Sequence, residues 1–109
     1  MSIDGLWIVK FAAGQLAGSG VVVFANGKLF GGETGFYYLG SYDADGRMFK
    51  AHIIVRNFDP LMPSGFGLDG DFEMDVSGIL QDDEMTGTAI VTGHPQYNLG
   101  IRAAKKANL

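Results

Sequence analysis

The sequence predicts an all-β fold, an up-and-down barrel of about eight antiparallel strands that forms one domain over residues 1–109. Apolar and polar residues alternate with a period of two, which is typical of half-buried strands. The 17 glycines separate these segments, because glycine supplies the positive φ angles of tight turns and weakens helices. No segment carries a sustained helical apolar pattern. Eight strands is also the number at which a barrel interior is just filled by side chains or holds one small ligand.

The predicted strands follow one another with short turns between them. They cover residues 5–11, 20–25, 28–30, 36–42, 47–57, 71–77, 84–92 and 96–103. Turns are predicted at 14–18, 26–27, 31–32, 43–46, 81–83 and 93–95, with an irregular connection at 59–67. Asn26-Gly27 is the strongest turn signal, because both residues tolerate the positive φ of a type I′ hairpin. The residues after 103 are predicted to form a tail or a short helical turn.

Three acidic residues alternate along the sixth predicted strand. One interpretation is a metal or catalytic carboxylate cluster, and the other is a solvated strand face whose charges pair across the sheet. The second is favoured, since exposed cross-strand pairs are common and individually weak. The register that it predicts pairs Asp71 with Arg56, Glu73 with Ile54, and Asp75 with His52.

Charge and composition argue against several classes of function. The net charge of −4 and the pI of about 4.8 disfavour direct nucleic-acid binding, which needs a face rich in lysine and arginine. No apolar run is long enough to span a bilayer, so no membrane association is expected. The absence of cysteine and of an N-terminal leader predicts a cytoplasmic protein.

No motif for catalysis or cofactor binding is evident, so we expect no enzyme active site, no cofactor and no metal. Asp43-Ala44-Asp45-Gly46 begins like a calcium loop, but its twelfth position is Ile54 instead of glutamate. His52 and His94 lie on different elements without metal-ligand spacing. Gly18-Ser19-Gly20 lacks the spacing of a nucleophile elbow.

Aromatic residues are concentrated in the first two-thirds of the chain. A packed core is the favoured interpretation, since aromatic side chains dominate small cores, and a lined cavity or a dimer face is the alternative. Tyr37 and Tyr38 point to opposite faces of one strand, so one of them is expected to lie outside the core and mark an interface. The set comprises Trp7, Phe11, Phe24, Phe30, Phe36, Tyr37, Tyr38, Tyr42, Phe49, Phe58 and Phe66.

Four short segments in the first half of the chain follow the motifs of a known family. Asp4-Gly5-Leu6-Trp7 is similar to its first strand, and Asn26-Gly27-Lys28-Leu29 followed by Gly31-Gly32-Glu33 is the closest match. Tyr38-Leu39-Gly40 is similar to its tyrosine-x-glycine strand before an acidic turn. The chain therefore resembles the GrlR-like family of negative regulators of bacterial type III secretion, over residues 4–57 in motif and beyond them in strand pattern.

The resemblance implies a lipocalin-like barrel that forms homodimers and restrains a helix-turn-helix transcriptional activator by binding it. In the family an acidic Glu-Asp-Glu-Asp run is implicated in that contact, and it aligns with residues 44–47 of this chain. Asp45 keeps a carboxylate there, and Asp43 lies beside it. Together with Tyr37 on the aromatic strand 36–42, these aspartates are the predicted partner-contact residues.

Two functions from different classes are therefore predicted. The leading hypothesis is a non-enzymatic regulatory protein that forms a homodimer and binds a protein partner. The alternative is a barrel that binds a small apolar ligand in a cavity lined by inward side chains such as Trp7, Phe49 and Phe72. A third class, an enzyme, would require a pocket with convergent Asp, His or Tyr groups of perturbed pKa.

Overall fold

A computed structural model describes residues 3–61 and 71–109 of the chain. Within these residues eight strands are present: β1 (Gly5–Ala13), β2 (Leu16–Ala25), β3 (Lys28–Glu33), β4 (Phe36–Asp45), β5 (Met48–Asn57), β6 (Phe72–Gln81), β7 (Glu84–Val91) and β8 (His94–Asn108). Each strand pairs antiparallel with its sequence neighbours, and β8 pairs with β1. The predicted closed up-and-down barrel is therefore confirmed. No helix in this described part of the chain has the length and apolarity needed to cross a membrane.

The tight turns lie where the backbone adopts positive φ angles. Asn26 and Gly27 have φ angles of 51° and 82°, so the predicted Asn-Gly hairpin turn is confirmed. Asp82 adopts φ 57° between β6 and β7. The predicted turn at 31–32 is wrong, because both glycines belong to β3 and the turn follows at Gly35, with φ 85°.

The start of β2 differs from the prediction. Strand β2 begins at Leu16, so the predicted turn at 14–18 is wrong and the turn is confined to Gly14 and the next residue. A Cβ atom placed on Gly18 would lie 2.5 Å from the Phe11 ring. This glycine therefore makes room for a neighbouring ring inside a strand instead of forming a turn.

The end of β4 differs in the same way. Strand β4 continues to Asp45, so the predicted turn at 43–46 is wrong, and Gly46 and the next residue form the turn instead. Asp43 lies opposite Lys50 in the ladder between β4 and β5. Cross-strand pairing therefore extends the strand through residues whose type favours turns.

The C-terminal segment is a strand. Strand β8 continues to Asn108, opposite Gly5, so the predicted tail or helical turn after residue 103 is wrong. His94, predicted within a turn, is the first residue of β8. Pairing of this segment with β1 closes the barrel and removes a free sheet edge. The predicted connection at 59–67 falls largely on residues 62–70, outside the described residues, as does Phe66.

The predicted register between β5 and β6 is confirmed. Arg56 Nη1 donates a hydrogen bond to Asp71 Oδ2 at 3.1 Å. The strand pairs are His52 with Asp75 and Ile54 with Glu73. Asp71, just before β6, and the acidic residues of β6 thus line a solvated face with cross-strand partners. Among residues 3–61 and 71–109, no group of three or more His, Cys, Asp and Glu residues is arranged to hold a metal ion.

An aromatic cluster fills the interior at the end of the barrel where β1 begins. Trp7 is 1% exposed and packs edge-to-face on Phe24 at 5.7 Å between ring centroids. Phe24 also packs on Tyr42 at 5.0 Å and on Phe49 at 5.5 Å. We call these four residues the aromatic floor. Trp7 Nε1 donates a hydrogen bond to the Ile3 carbonyl at 2.8 Å, which satisfies the indole in this apolar setting.

Candidate functional site

Strand β4 presents one continuous outer face to solvent. Side chains alternate across the strand, so Phe36, Tyr38 and Tyr42 point inward while every second residue points outward. The outward residues are Tyr37, Leu39, Ser41, Asp43 and Asp45, which we call the β4 outer face. The structure thus places the three predicted partner-contact residues, Tyr37, Asp43 and Asp45, on one face of a single strand.

An apolar row crosses the outside of the barrel and meets the β4 outer face at Leu39. Its members lie opposite one another in the ladders of β1 to β5, so their side chains are adjacent. The row, from β1 to β5, is Leu6, Val23, Phe30, Leu39 and Ile54. Phe30 is 49% exposed, and Leu6 and Leu39 are nearly 40% exposed. Outward apolar side chains in register on five strands form a contiguous surface of the kind that marks a protein interface.

A second outward row reinforces this apolar surface. Ile8 lies opposite Val21, and Tyr37 lies opposite Gly32 of β3. The ring of Tyr37 contacts Phe58, with 6.3 Å between centroids. Sequence reasoning missed these rows, although the apolar run 21–25 in β2 was a signal that the outer face of this strand is apolar as well.

The charged end of the β4 outer face lies near the Gly46 turn. Asp43 is opposite Lys50, whereas Asp45 is opposite the uncharged Met48, which is 54% exposed. The face therefore changes from aromatic and aliphatic at Tyr37 and Leu39 to acidic at its other end. A partner that fits it needs an apolar patch beside basic groups.

The barrel interior holds a cavity of about 290 Å³. Phe49 of the aromatic floor and Phe72 of β6 are among its lining residues, as are Phe11, Phe36 and Met74. Trp7 does not line the cavity. It packs against Phe24, which does line the cavity. Two of the three predicted cavity residues thus reach the cavity, and the third helps close the end of the barrel.

The hairpin of β3 and β4 contributes polar side chains to the cavity lining. Among the described residues the polar lining side chains are Glu33, Thr34 and Tyr38. The Tyr38 hydroxyl donates a hydrogen bond to Glu33 Oε1. Burial raises the pKa of Glu33, and burial together with the carboxylate strongly raises the pKa of the Tyr38 hydroxyl. The cavity thus has one polar point on an apolar wall.

His52 sits between two carboxylates on the outside of the barrel. Its Nδ1 lies 2.8 Å from Asp75 Oδ1, and its Nε2 lies 2.5 Å from Glu73 Oε1. Hydrogen bonds to Asp75 and then Glu73 raise the pKa of His52, and the same contact lowers the pKa of Asp75. This exposed cluster is explained by cross-strand pairing, without a metal or a substrate.

Two of the sequence motifs meet Tyr42 of β4 at the floor end of the barrel. Asp4 accepts a hydrogen bond from the Tyr42 hydroxyl at 2.6 Å, and its carboxylate also accepts one from the Asn26 backbone N–H at 3.2 Å. The Tyr42 backbone N–H donates to the Gly27 carbonyl at 2.9 Å. Contacts among Asp4, the Asn26-Gly27 turn and Tyr42 therefore hold the start of β1, the β2–β3 turn and β4 together.

The fold and these surfaces define a small closed antiparallel barrel with an apolar interior cavity and an exposed face suited to protein contact. The family model described as T3SS negative regulator, GrlR, matches residues 2–106. The chain therefore belongs to the GrlR family of type III secretion negative regulators, as its motifs predict. No curated protein matches the chain.

Proposed function

We propose that this chain is a non-enzymatic regulator that forms a homodimer and binds a helix-turn-helix transcriptional activator through the β4 outer face. The observation that carries the proposal is the placement of Tyr37, Asp43 and Asp45 on one exposed face that joins the apolar row. Family membership supports a regulatory role. A cytoplasmic location and the absence of enzymatic activity remain predictions.

The apolar row supplies the homodimer contact. In a twofold dimer the same patch of each copy meets its counterpart, so a self-complementary apolar surface is sufficient. Phe30 is central in the row, with two strands on each side, and its ring is half exposed. Aromatic side chains at the centre of an interface contribute most of its binding energy.

The acidic end of the β4 outer face supplies the activator contact. A helix-turn-helix protein that binds DNA carries basic residues against the phosphates, so carboxylates that occupy this basic surface compete with DNA. Asp45 is the stronger candidate of the two aspartates, because Asp43 has Lys50 opposite it. Tyr37 adds an aromatic contact at the other end of the strand, about 26 Å from Asp45 at 3.3 Å per residue.

The test is a pull-down with helix-turn-helix activators encoded beside the type III secretion genes of the source organism. We expect wild type to retain an activator and the Asp43→Asn, Asp45→Asn double variant to bind it at least about tenfold more weakly, since interfacial charge pairs contribute strongly. The matched control is Asp83→Asn with Glu84→Gln, which removes two carboxylates at the same end of the barrel near β7. Wild type that retains no activator, or equal loss in both double variants, would overturn the proposed contact.

A second candidate function is binding of a small apolar ligand, which the 290 Å³ interior cavity favours. Ligand pockets are concave, mainly apolar and equipped with few polar groups. Native mass spectrometry of freshly purified protein tests this function. A retained lipid-like mass supports the ligand binder, whereas a bare dimer supports the regulator alone.

A further inference from the structure

The polar point in the cavity wall is a carboxylate without a cationic partner. Glu33 ends β3 and Tyr38 lies in β4, and both side chains line the cavity. Among the described residues, the cavity lining contains no lysine, arginine or histidine. The Tyr38 hydroxyl satisfies Glu33 Oε1, and within the same residues no hydrogen bond to Glu33 Oε2 is found.

Glu33 is partly withdrawn from water, and the described residues that line the cavity offer it no positive charge. Half-buried carboxylates are normally stabilised by several hydrogen bonds or by a positive charge. Loss of water around the group raises the pKa of Glu33, and the hydrogen bond from Tyr38 acts in the opposite direction. A cationic donor in the cavity would supply the missing charge and a charge-assisted hydrogen bond.

We propose that the cavity binds an amphiphile with an apolar body and an ammonium head group, and that Glu33, oriented by Tyr38, holds the head. The proposal rests on the second candidate function, binding of a small apolar ligand. A dry cavity of about 150 Å³ holds benzene, so a body of ~12 heavy atoms fits this larger one. An anionic amphiphile such as a fatty acid is disfavoured, because two carboxylates repel each other in an apolar site.

The head-group preference is tested with three probes of one chain length: decylamine, decanol and decanoate. Isothermal titration calorimetry near neutral pH measures each affinity for the full chain. We expect decylamine to bind about tenfold or more tightly than decanoate, with decanol between them, since charge-assisted bonds are roughly twice as strong as neutral ones.

Two variants of Glu33 test whether this residue causes the preference for decylamine. Glu33→Gln keeps the shape of the side chain and is expected to bring the three affinities within about threefold, because the charge is gone. Glu33→Asp withdraws the carboxylate by one methylene and is expected to weaken decylamine binding while leaving decanol binding unchanged. Glu84→Gln, outside the cavity lining, is the matched control and is expected to retain the wild-type order.

The outcomes separate this proposal from the function on which it rests. Tighter binding of decanoate than decylamine, or an unchanged preference in Glu33→Gln, would overturn the head-group assignment and leave apolar ligand binding intact. Failure of all three probes to bind would overturn both the assignment and the ligand-binding function. The regulatory proposal is independent of either result.

Discussion

The Tyr42 hydroxyl donates a hydrogen bond to Asp4 Oδ1 at 2.6 Å, which joins the start of β1 to the later part of β4 across 38 residues of sequence. The same ring packs on Phe24 and Phe49 in the aromatic floor. Burial and the neighbouring carboxylate both raise the pKa of this hydroxyl. One side chain thus links the polar motif of the first strand to the apolar interior.

Removal of this hydroxyl should destabilise the barrel while leaving the ring in place. We expect Tyr42→Phe to lower the free energy of unfolding by about 1–2 kcal/mol, because the hydrogen bond that the hydroxyl donates to the Asp4 side chain is lost. Urea unfolding followed by tryptophan fluorescence of Trp7 measures the change. Tyr37→Phe, on the solvent face of the same strand, is the control, and an equal loss there would contradict the assigned role.

The close approach of the Phe11 ring to Gly18 predicts that a larger side chain at position 18 lowers stability. Gly18→Val should lower the free energy of unfolding by about 1–3 kcal/mol, since new atoms would overlap the ring and force it off its rotamer. Ser19→Val adds a similar side chain to the exposed face of β2 and should change stability by less than about 0.5 kcal/mol. Thermal or urea unfolding of both variants checks the difference, and equal stability would show that Phe11 moves without cost.

The position of His52 between Asp75 and Glu73 predicts a pH dependence of stability. The pKa of His52 is raised in the folded state above 6.5, so its contribution to stability is fully present below that pH. The contribution disappears as pH rises through the folded pKa. Asp75, whose pKa is lowered, stays ionised throughout this window.

Substitution of His52 should therefore have an effect that depends on pH. We expect His52→Gln to destabilise the barrel more at about pH 5.5 than at about pH 9, measured by urea unfolding at both values. His94→Gln is the matched control, because His94 contacts the Tyr97 ring instead of a carboxylate. A difference between wild type and His52→Gln that is constant with pH would argue against the charged pairing.

The apolar row predicts the behaviour of the proposed homodimer. Phe30→Ser should raise the dimer dissociation constant by about tenfold or more, since a central aromatic contact is lost while the folded monomer keeps its interior. Ile90→Ser, on β7 at the opposite side of the barrel and 40% exposed in wild type, should leave dimerisation unchanged. Light scattering after size-exclusion chromatography over a concentration series measures both. A monomeric wild type would contradict the proposed homodimer, and dissociation by Ile90→Ser but not by Phe30→Ser would place the self-contact elsewhere.

Local pattern was sufficient to predict much of the fold. Period-two alternation and the Asn26-Gly27 turn specify strands and hairpins because side-chain direction and positive φ are properties of a few adjacent residues. The pairing of His52 with Asp75 was also predictable, since opposite charges at matched positions favour one register. The family motifs, among them Asp4-Gly5-Leu6-Trp7, were sufficient to predict membership of the GrlR family.

Strand ends and surfaces were decided by the tertiary structure. Whether Gly18 turns the chain or makes room for Phe11 depends on a ring from another strand, and whether residues 104–108 form a tail or a strand depends on β1. Asp45 joins Tyr37 on one outer face only because β4 continues past the expected turn. Likewise Leu6 and Ile54 enter one apolar row only once five strands are in register. Alternation along a strand determines which residues share a face, but the pairing and register of the strands determine which residues of different strands become neighbours.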